Sequence, residues 1–203
     1  NVVKAYRKAR VTQSKDKRVR RGRSHSISSV AEDLFAEFLV LNDKTIEAVY
    51  VDQPISVAIG RKRKQFYPDI MIVRNEVIVS FVDIKLDIGW NRDGLTDLCK
   101  KHKATVQAVR GKECRLRDGV TKKMQHLKIA DSLSYNVVMI SRTNINAEIL
   151  EKHEERITKL APEVDLFILC DTGHPNNYVS SKNIIEELGV NDGVFKRLHK
   201  KLK

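Results

Sequence analysis

Apolar residues recur along the chain in two rhythms, and the switch from one to the other marks its elements. Ile27, Val30, Ala31, Leu34, Phe35, Phe38 and Leu39 keep a three-to-four spacing, which predicts an amphipathic helix beginning near Ser26. Residues 46–51 predict a first strand. Two β-branched and aromatic runs follow, Phe66-Tyr67-Pro68-Asp69-Ile70-Met71-Ile72-Val73 and Val77-Ile78-Val79-Ser80-Phe81-Val82-Asp83-Ile84-Lys85, with the polar turn Arg74-Asn75-Glu76 between them. Such a pair predicts a hairpin. Beyond Trp90 the chain turns polar; helices are expected over 95–109 and 120–133, separated by a basic stretch around Gly111 and Asp118-Gly119. Residues 136–141 read as a fourth strand, 146–160 as a charged helix ended by Pro162, and 164–170 as a fifth strand. Continuous apolar strands arriving after helices predict an α/β fold, a mixed central β-sheet flanked by helices.

The hairpin carries the chemistry. Side chains alternate along a strand, so Asp83 and Lys85 should leave one face while Ile84 enters the opposite layer. No other acidic residue in the chain has a lysine two places on. Taking ionised groups out of water costs several kcal/mol each, roughly, unless they pair or hold a metal. An ion pair at the sheet rim would account for the two residues. So would a phosphodiester hydrolase, in which carboxylate oxygens hold Mg²⁺ and the lysine orients or deprotonates the attacking water.

Proline-aspartate opening one strand, with acid-x-lysine on the next, resembles the PD-(D/E)xK nuclease superfamily, whose core is restriction-endonuclease-like. The resemblance covers roughly residues 26–171. It implies Asp69 and Asp83 as metal ligands, Lys85 as the catalytic lysine, the Ile84 carbonyl as an extra ligand, and Mg²⁺ as cofactor with Mn²⁺ as a substitute. It also implies a glutamate from the first core helix, for which Glu32 is the candidate. Ser29-x-x-Glu32 ahead of an apolar run is equally a capping box, so Glu32 is either a ligand or a helix cap. Asp87 reads as solvated strand-end charge, and Lys103, Gln107 and Gln125 as polar residues of the helices that follow, where some family members place a helper. The implied function is a type II restriction-like endonuclease, acting on double-stranded DNA as a homodimer. A structure-selective nuclease and a non-catalytic nucleic-acid-binding protein remain the alternatives.

Charge agrees with a nucleic-acid partner. The 203 residues carry a net charge of +12, and the first 25 hold ten Lys/Arg against the single acid Asp16. Phosphates neutralised by such a cluster release counterions, giving salt-sensitive, sequence-independent affinity; a merely solubilising arm has the same composition. Arg18, Arg20, Arg21 and Arg23 in this arm are DNA-binding candidates, as are Arg61, Lys62, Arg63 and Lys64, expected in a hairpin loop just before the Pro68 strand. Arg115, Arg117 and Arg142 are further candidate contacts. The basic run at Lys196, Arg197, Lys200, Lys201 and Lys203 suits the C-terminal end of a helix dipole. One domain with basic extensions is expected: an arm over 1–25, a nuclease core over 26–172 and a helical extension over 173–203.

Other classes find little support. Cys99, Cys114 and Cys170 are odd in number and unpaired in spacing, which suits reduced thiols in a cytoplasm. The six histidines fall at no metal-ligand spacing and read as core or surface residues, with His174 in a loop that could meet DNA. No apolar run reaches membrane-spanning length and no signal-peptide pattern is present. Aromatic residues are only 6% of the chain, too few to suggest a base-stacking single-strand platform.

Overall fold

Two apolar layers sandwich one twisted sheet, as the hairpin's alternation requires. The structure is a computed structural model, and it describes residues 1–9, 26–87, 93–119, 121–177 and 184–202. Its helices are α1 (Val2–Ala9), α2 (Ser28–Asn42), α3 (Leu95–Val109), α4 (Ala147–Leu160), α5 (Ile184–Leu188) and α6 (Asp192–Leu202). Its strands are β1 (Ala48–Val51), β2 (Ile55–Ile59), β3 (Lys62–Phe66), β4 (Ile70–Arg74), β5 (Val77–Lys85), β6 (Glu113–Arg117), β7 (Met124–Met139) and β8 (Val164–Ile168). The chain is thus α/β with a mixed, open eight-stranded sheet in the order β1-β4-β5-β7-β6-β2-β3, with β8 on β7.

The sheet has two parts joined by β7. At one end β1, β4 and β5 form an antiparallel meander, β5 pairs parallel with β7, and β8 pairs parallel with β7. Parallel neighbours need crossovers; α4 supplies the one from β7 to β8, and the excursion containing α3 and β6 supplies the one from β5 to β7. At the other end β6, β2 and β3 extend from the first half of β7 as an antiparallel ribbon.

Alternation sorts the hairpin between the layers. Phe81 joins Leu95, Cys99, Val106 and Val109 of α3 in one core cluster, and Leu150 and Ile157 of α4 close it. Val82 and Ile84 join Ala31, Phe35 and Leu39 of α2 with Leu198 and Leu202 of α6 in the other. Burying a large aliphatic or aromatic side chain contributes about 1.5–3 kcal/mol, so these opposed faces fix which way Asp83 must point.

Several sequence expectations need correction. Residues 120–133 do not form a helix: from Met124 the chain is the first half of β7, with Glu113↔Lys128 and Arg115↔His126 in register. Gln125 therefore lies on a strand, where it accepts a hydrogen bond from the Tyr50 hydroxyl at 2.7 Å. Lys62, Arg63 and Lys64 are not a loop but the exposed edge strand β3, and only Gly60 and Arg61 make the turn. The capping box is absent too. Helix α2 starts at Ser28 with Ile27 at its cap position and no side-chain cap bond, which puts Ser29 inside the helix.

Of the first 25 residues, 1–9 form α1 and its lead-in. Tyr6 and Ala9 bury against Ile27. Arg18, Arg20, Arg21 and Arg23 lie outside the described residues. Beyond 173 the described residues include the short turn Pro175–Asn177, α5 and α6, with Val190 bridging to Cys170; Arg197 sits over the Phe167 ring at 5.3 Å while Lys201 pairs with Asp165 at 2.9 Å. Among the described residues no helix is long and apolar enough to cross a membrane.

Candidate active site

Asp69 and Asp83 meet at one end of the β4–β5 hairpin because of how it is registered. Ile70 stands opposite Val82, so Asp69, one residue before β4, falls beside Asp83 and Ile84. The Ile84 N–H donates to Asp69 Oδ2 at 2.8 Å. Both carboxylates then face one cation: Lys85 Nζ lies 2.8 Å from Asp83 Oδ1 and 3.6 Å from Asp69 Oδ2. The sequence placed these three residues at one sheet edge, and the structure brings them together.

Burial sets their charges. Burial, then the neighbouring Asp83 charge, raises the Asp69 carboxyl above its ordinary value, against the pull of Lys85. Burial would raise Asp83 as well, but the nearby His102 imidazole and the Lys85 ammonium outweigh it and hold this carboxyl below the usual range. Burial would lower Lys85, yet the two carboxylates outweigh that and raise it. The trio is therefore two acids of unequal strength around a persistent cation.

Glu32 stands on α2, in the opposite sheet layer from α3. Its carboxyl is raised by burial first and then by the charges of Asp69 and Asp52, and no hydrogen bond or ion pair joins it to the pair among the described residues. With the capping box gone, its charge has no role at the helix start.

His102 is the residue that sequence reasoning missed. It is buried on α3, its Nε2 lies 3.6 Å from Asp83 Oδ2, and its ring stacks on Tyr135 at 4.0 Å between centroids. At that distance the pair falls short of a hydrogen bond. Asp83 Oδ2 and His102 Nε2 are both buried without a hydrogen-bond partner among the described residues. A signal was present: His102 interrupts the stripe Leu95, Cys99, Val106, Val109 at the spacing of a core residue. Burial first, and then the two carboxylate charges, hold the Tyr135 phenol well above its ordinary value, so it stays neutral beneath the imidazole.

Asp83, Lys85 and His102 line an open pocket of about 350 Å³, with Phe81 and Tyr135 in its floor and Lys101 and Tyr67 at its rim; Asp69 and Glu32 stand outside that lining. Strand β3 runs straight into that rim, since Gln65, Phe66, Tyr67 and Pro68 also line it.

Other candidates lie elsewhere. Lys103 donates to the Leu160 carbonyl and Gln107 to Glu163, both at the α3–α4 seam. Asp87 is not simply solvated strand-end charge, because it pairs with His174 Nε2 at 3.0 Å. His174 is buried, and the Tyr6 hydroxyl lies 3.4 Å from the same ring nitrogen. Arg142 is engaged by the Asp171 carbonyl. All three cysteines are free and buried.

The donor set suits a hard cation of low protein-ligand count. Among the described residues no group of three or more His, Cys, Asp or Glu side chains is arranged as a metal cage. Two adjacent carboxylates, of which Asp83 lines the open pocket and has an unpartnered buried oxygen, match the way Mg²⁺ is held through one or two carboxylates while keeping waters and substrate oxygens. No family model, curated protein or solved structure matches the chain.

Proposed function

We propose that the chain is a metal-dependent endonuclease of the PD-(D/E)xK type, hydrolysing phosphodiester bonds in duplex DNA as a type II restriction-like homodimer. The observation that carries this reading is the convergence of Asp69 and Asp83 on Lys85 Nζ, within 3.6 Å, at the end of adjacent strands. The element order supports it: α2, then the β1-β4-β5 meander, then α3, then β7 parallel to β5 is the order expected of such a nuclease core, with β2-β3 and β6 as insertions.

Asp69 and Asp83 would hold Mg²⁺, with the Ile84 carbonyl as a further donor and Glu32 behind Asp69; Mn²⁺ accepts the same oxygens. The bound ion supplies Lewis-acid charge and a more acidic water. Lys85, kept protonated by its two carboxylates, places positive charge where the phosphorus gains an oxygen and the ester P–O bond breaks, and orients the entering water. His102 stands 3.6 Å from Asp83 Oδ2 on the buried side, where a slight closure would let it orient the carboxylate. Basic residues of β3 beside the rim would steer the phosphate backbone toward the pocket.

The test is incubation of the purified protein with mapped plasmid and with branched DNA in Mg²⁺ or Mn²⁺. Discrete plasmid fragments are expected, lost in Asp69→Ala and Asp83→Ala while low-salt DNA binding persists. Cutting of branched DNA alone would replace the restriction-like reading with a structure-selective nuclease. Binding without any cutting, or full activity in Asp83→Ala, would overturn the enzyme.

A further inference from the structure

The antiparallel ribbon formed by β3, β2, β6 and the first half of β7 is packed on one side only. Ile55, Val57, Cys114, Leu116 and Ile129 point into the core cluster that includes α3. By alternation their neighbours point the other way. Arg63, Ala58, Arg115, Arg117, His126 and Lys128 are all exposed there, and among the described residues no helix covers them.

This outer face has a definite layout. In register, Ala58 of β2 stands opposite Arg63 of β3, and Ser56 of β2 opposite Arg115 of β6, which in turn faces His126 of β7. Small residues on β2 therefore floor a trough whose two walls are arginines. Arg63 is braced across it, its guanidinium donating to the Ser56 hydroxyl at 3.1 Å and the Ser56 carbonyl at 2.8 Å. Arg63, Lys112, Arg115 and His126 line a concavity of about 350 Å³ with Ala58 at its base. Glu113 is the acid in that lining, and it stands opposite Lys128. Among the described residues, none of Arg63, Lys112, Arg115, Arg117 or Lys128 has a carboxylate within ion-pair distance.

We infer that the outer face of this ribbon is a phosphate-backbone binding surface, separate from the carboxylate pocket, whose partner is double-stranded nucleic acid. Uncompensated, planar guanidiniums flanking a small-residue floor admit a polyanionic strand closely and can grip its phosphates in a bidentate manner. A protein partner fits less well, since protein interfaces centre on apolar and aromatic residues, and here the centre is Ser56 and Ala58. Binding of this kind needs no catalysis, so it stands apart from the nuclease reading.

The experiment measures affinity of the full chain for a duplex in EDTA over a salt series, so that cleavage plays no part. Arg63→Ala/Arg115→Ala is expected to weaken binding at least tenfold at 0.1 M salt. The slope of log affinity against log salt should fall by about 1.8, at roughly 0.9 for each phosphate left without its arginine. A control removing two exposed charges from α4, Lys152→Ala/Lys159→Ala, should change neither quantity appreciably. Wild-type affinity and slope in the ribbon variant would overturn the inference, and so would an equal loss in the α4 control, which would reduce the effect to net charge. Loss of binding to an acidic protein with unchanged duplex affinity would overturn it in favour of a protein partner. Cleavage by the wild-type chain in Mg²⁺ reports on the nuclease reading independently: its absence sinks that reading and leaves this one standing.

Discussion

His102 Nε2 stands 3.6 Å from Asp83 Oδ2, and neither atom has a hydrogen-bond partner among the described residues. A slight closure would make a bond that orients the carboxylate from behind, as ring nitrogens and carboxylates do around many metal sites. Replacing the histidine leaves Asp83 free to turn. We expect His102→Ala to lower Mg²⁺-dependent cleavage about 10–100-fold, with Asn at this position recovering part of it. Cleavage rates beside a calorimetric Mn²⁺ titration check this; unchanged rate and affinity in the alanine variant would remove His102 from the site.

Lys85 competes with any divalent cation for Asp69 and Asp83. In Lys85→Met the two carboxylates lose their organic counterion, and their mutual repulsion makes a metal more welcome. Divalent-ion affinity should rise by about tenfold, on the order of 1.4 kcal/mol, while cleavage falls by about a hundredfold or more through loss of transition-state charge stabilisation. Weaker metal binding in this variant would show that the lysine supports the ion rather than displacing it.

Away from the pocket, Asn136 ties β5 to β7. Its amide donates to the Ser80 hydroxyl at 2.8 Å and to the Ser134 hydroxyl at 3.2 Å, in a fully buried setting. Asn136→Ala leaves buried hydroxyls with fewer partners and should destabilise the fold by about 2 kcal/mol, read as a lower urea midpoint at unchanged slope.

Acid should loosen the corner where α2 ends. Asp43 accepts from Thr45 and from Arg74 at 2.6 Å. The Thr45 hydroxyl, opposed by burial and aided by the Thr45 N–H and Arg74, brings its carboxyl down to about 2. A depressed carboxyl stabilises the fold above its unfolded value, about 3.9, and that contribution disappears as pH falls through the folded value. Stability should therefore decline between about pH 4 and pH 2 by on the order of 1 kcal/mol from this group, allowing for solvent screening. In Asp43→Asn the decline over that interval should be shallower, as thermal melts will show.

The hairpin, α2, α3, α4 and β8 were legible because each keeps one rhythm from end to end. So was the second half of β7, from Asn136 on; its first half was not. The register against β5 jumps between Ile78↔Ile129 and Ser80↔Ser134, so the alternation that marks a strand is broken midway along β7. Strand β3 has no apolar rhythm at all, being an exposed edge of Lys-Arg-Lys-Gln. Of the site, the acids and the lysine could be read from strand position, since burial penalises such residues wherever no purpose holds them there. His102 could not be tied to Asp83, because nineteen residues and a helix separate them and only packing decides which part of the sheet α3 crosses.

Strand β7 also works as a ruler. His126 borders the arginine trough and Tyr135 underlies His102; since Lys128 to Tyr135 spans only Val77 to Phe81 of β5, roughly 20 Å separates them. Nothing the size of a mononucleotide or a small metabolite can touch both places at once. Any single molecule that bridges them has to be extended, and a duplex covers that length within one helical turn.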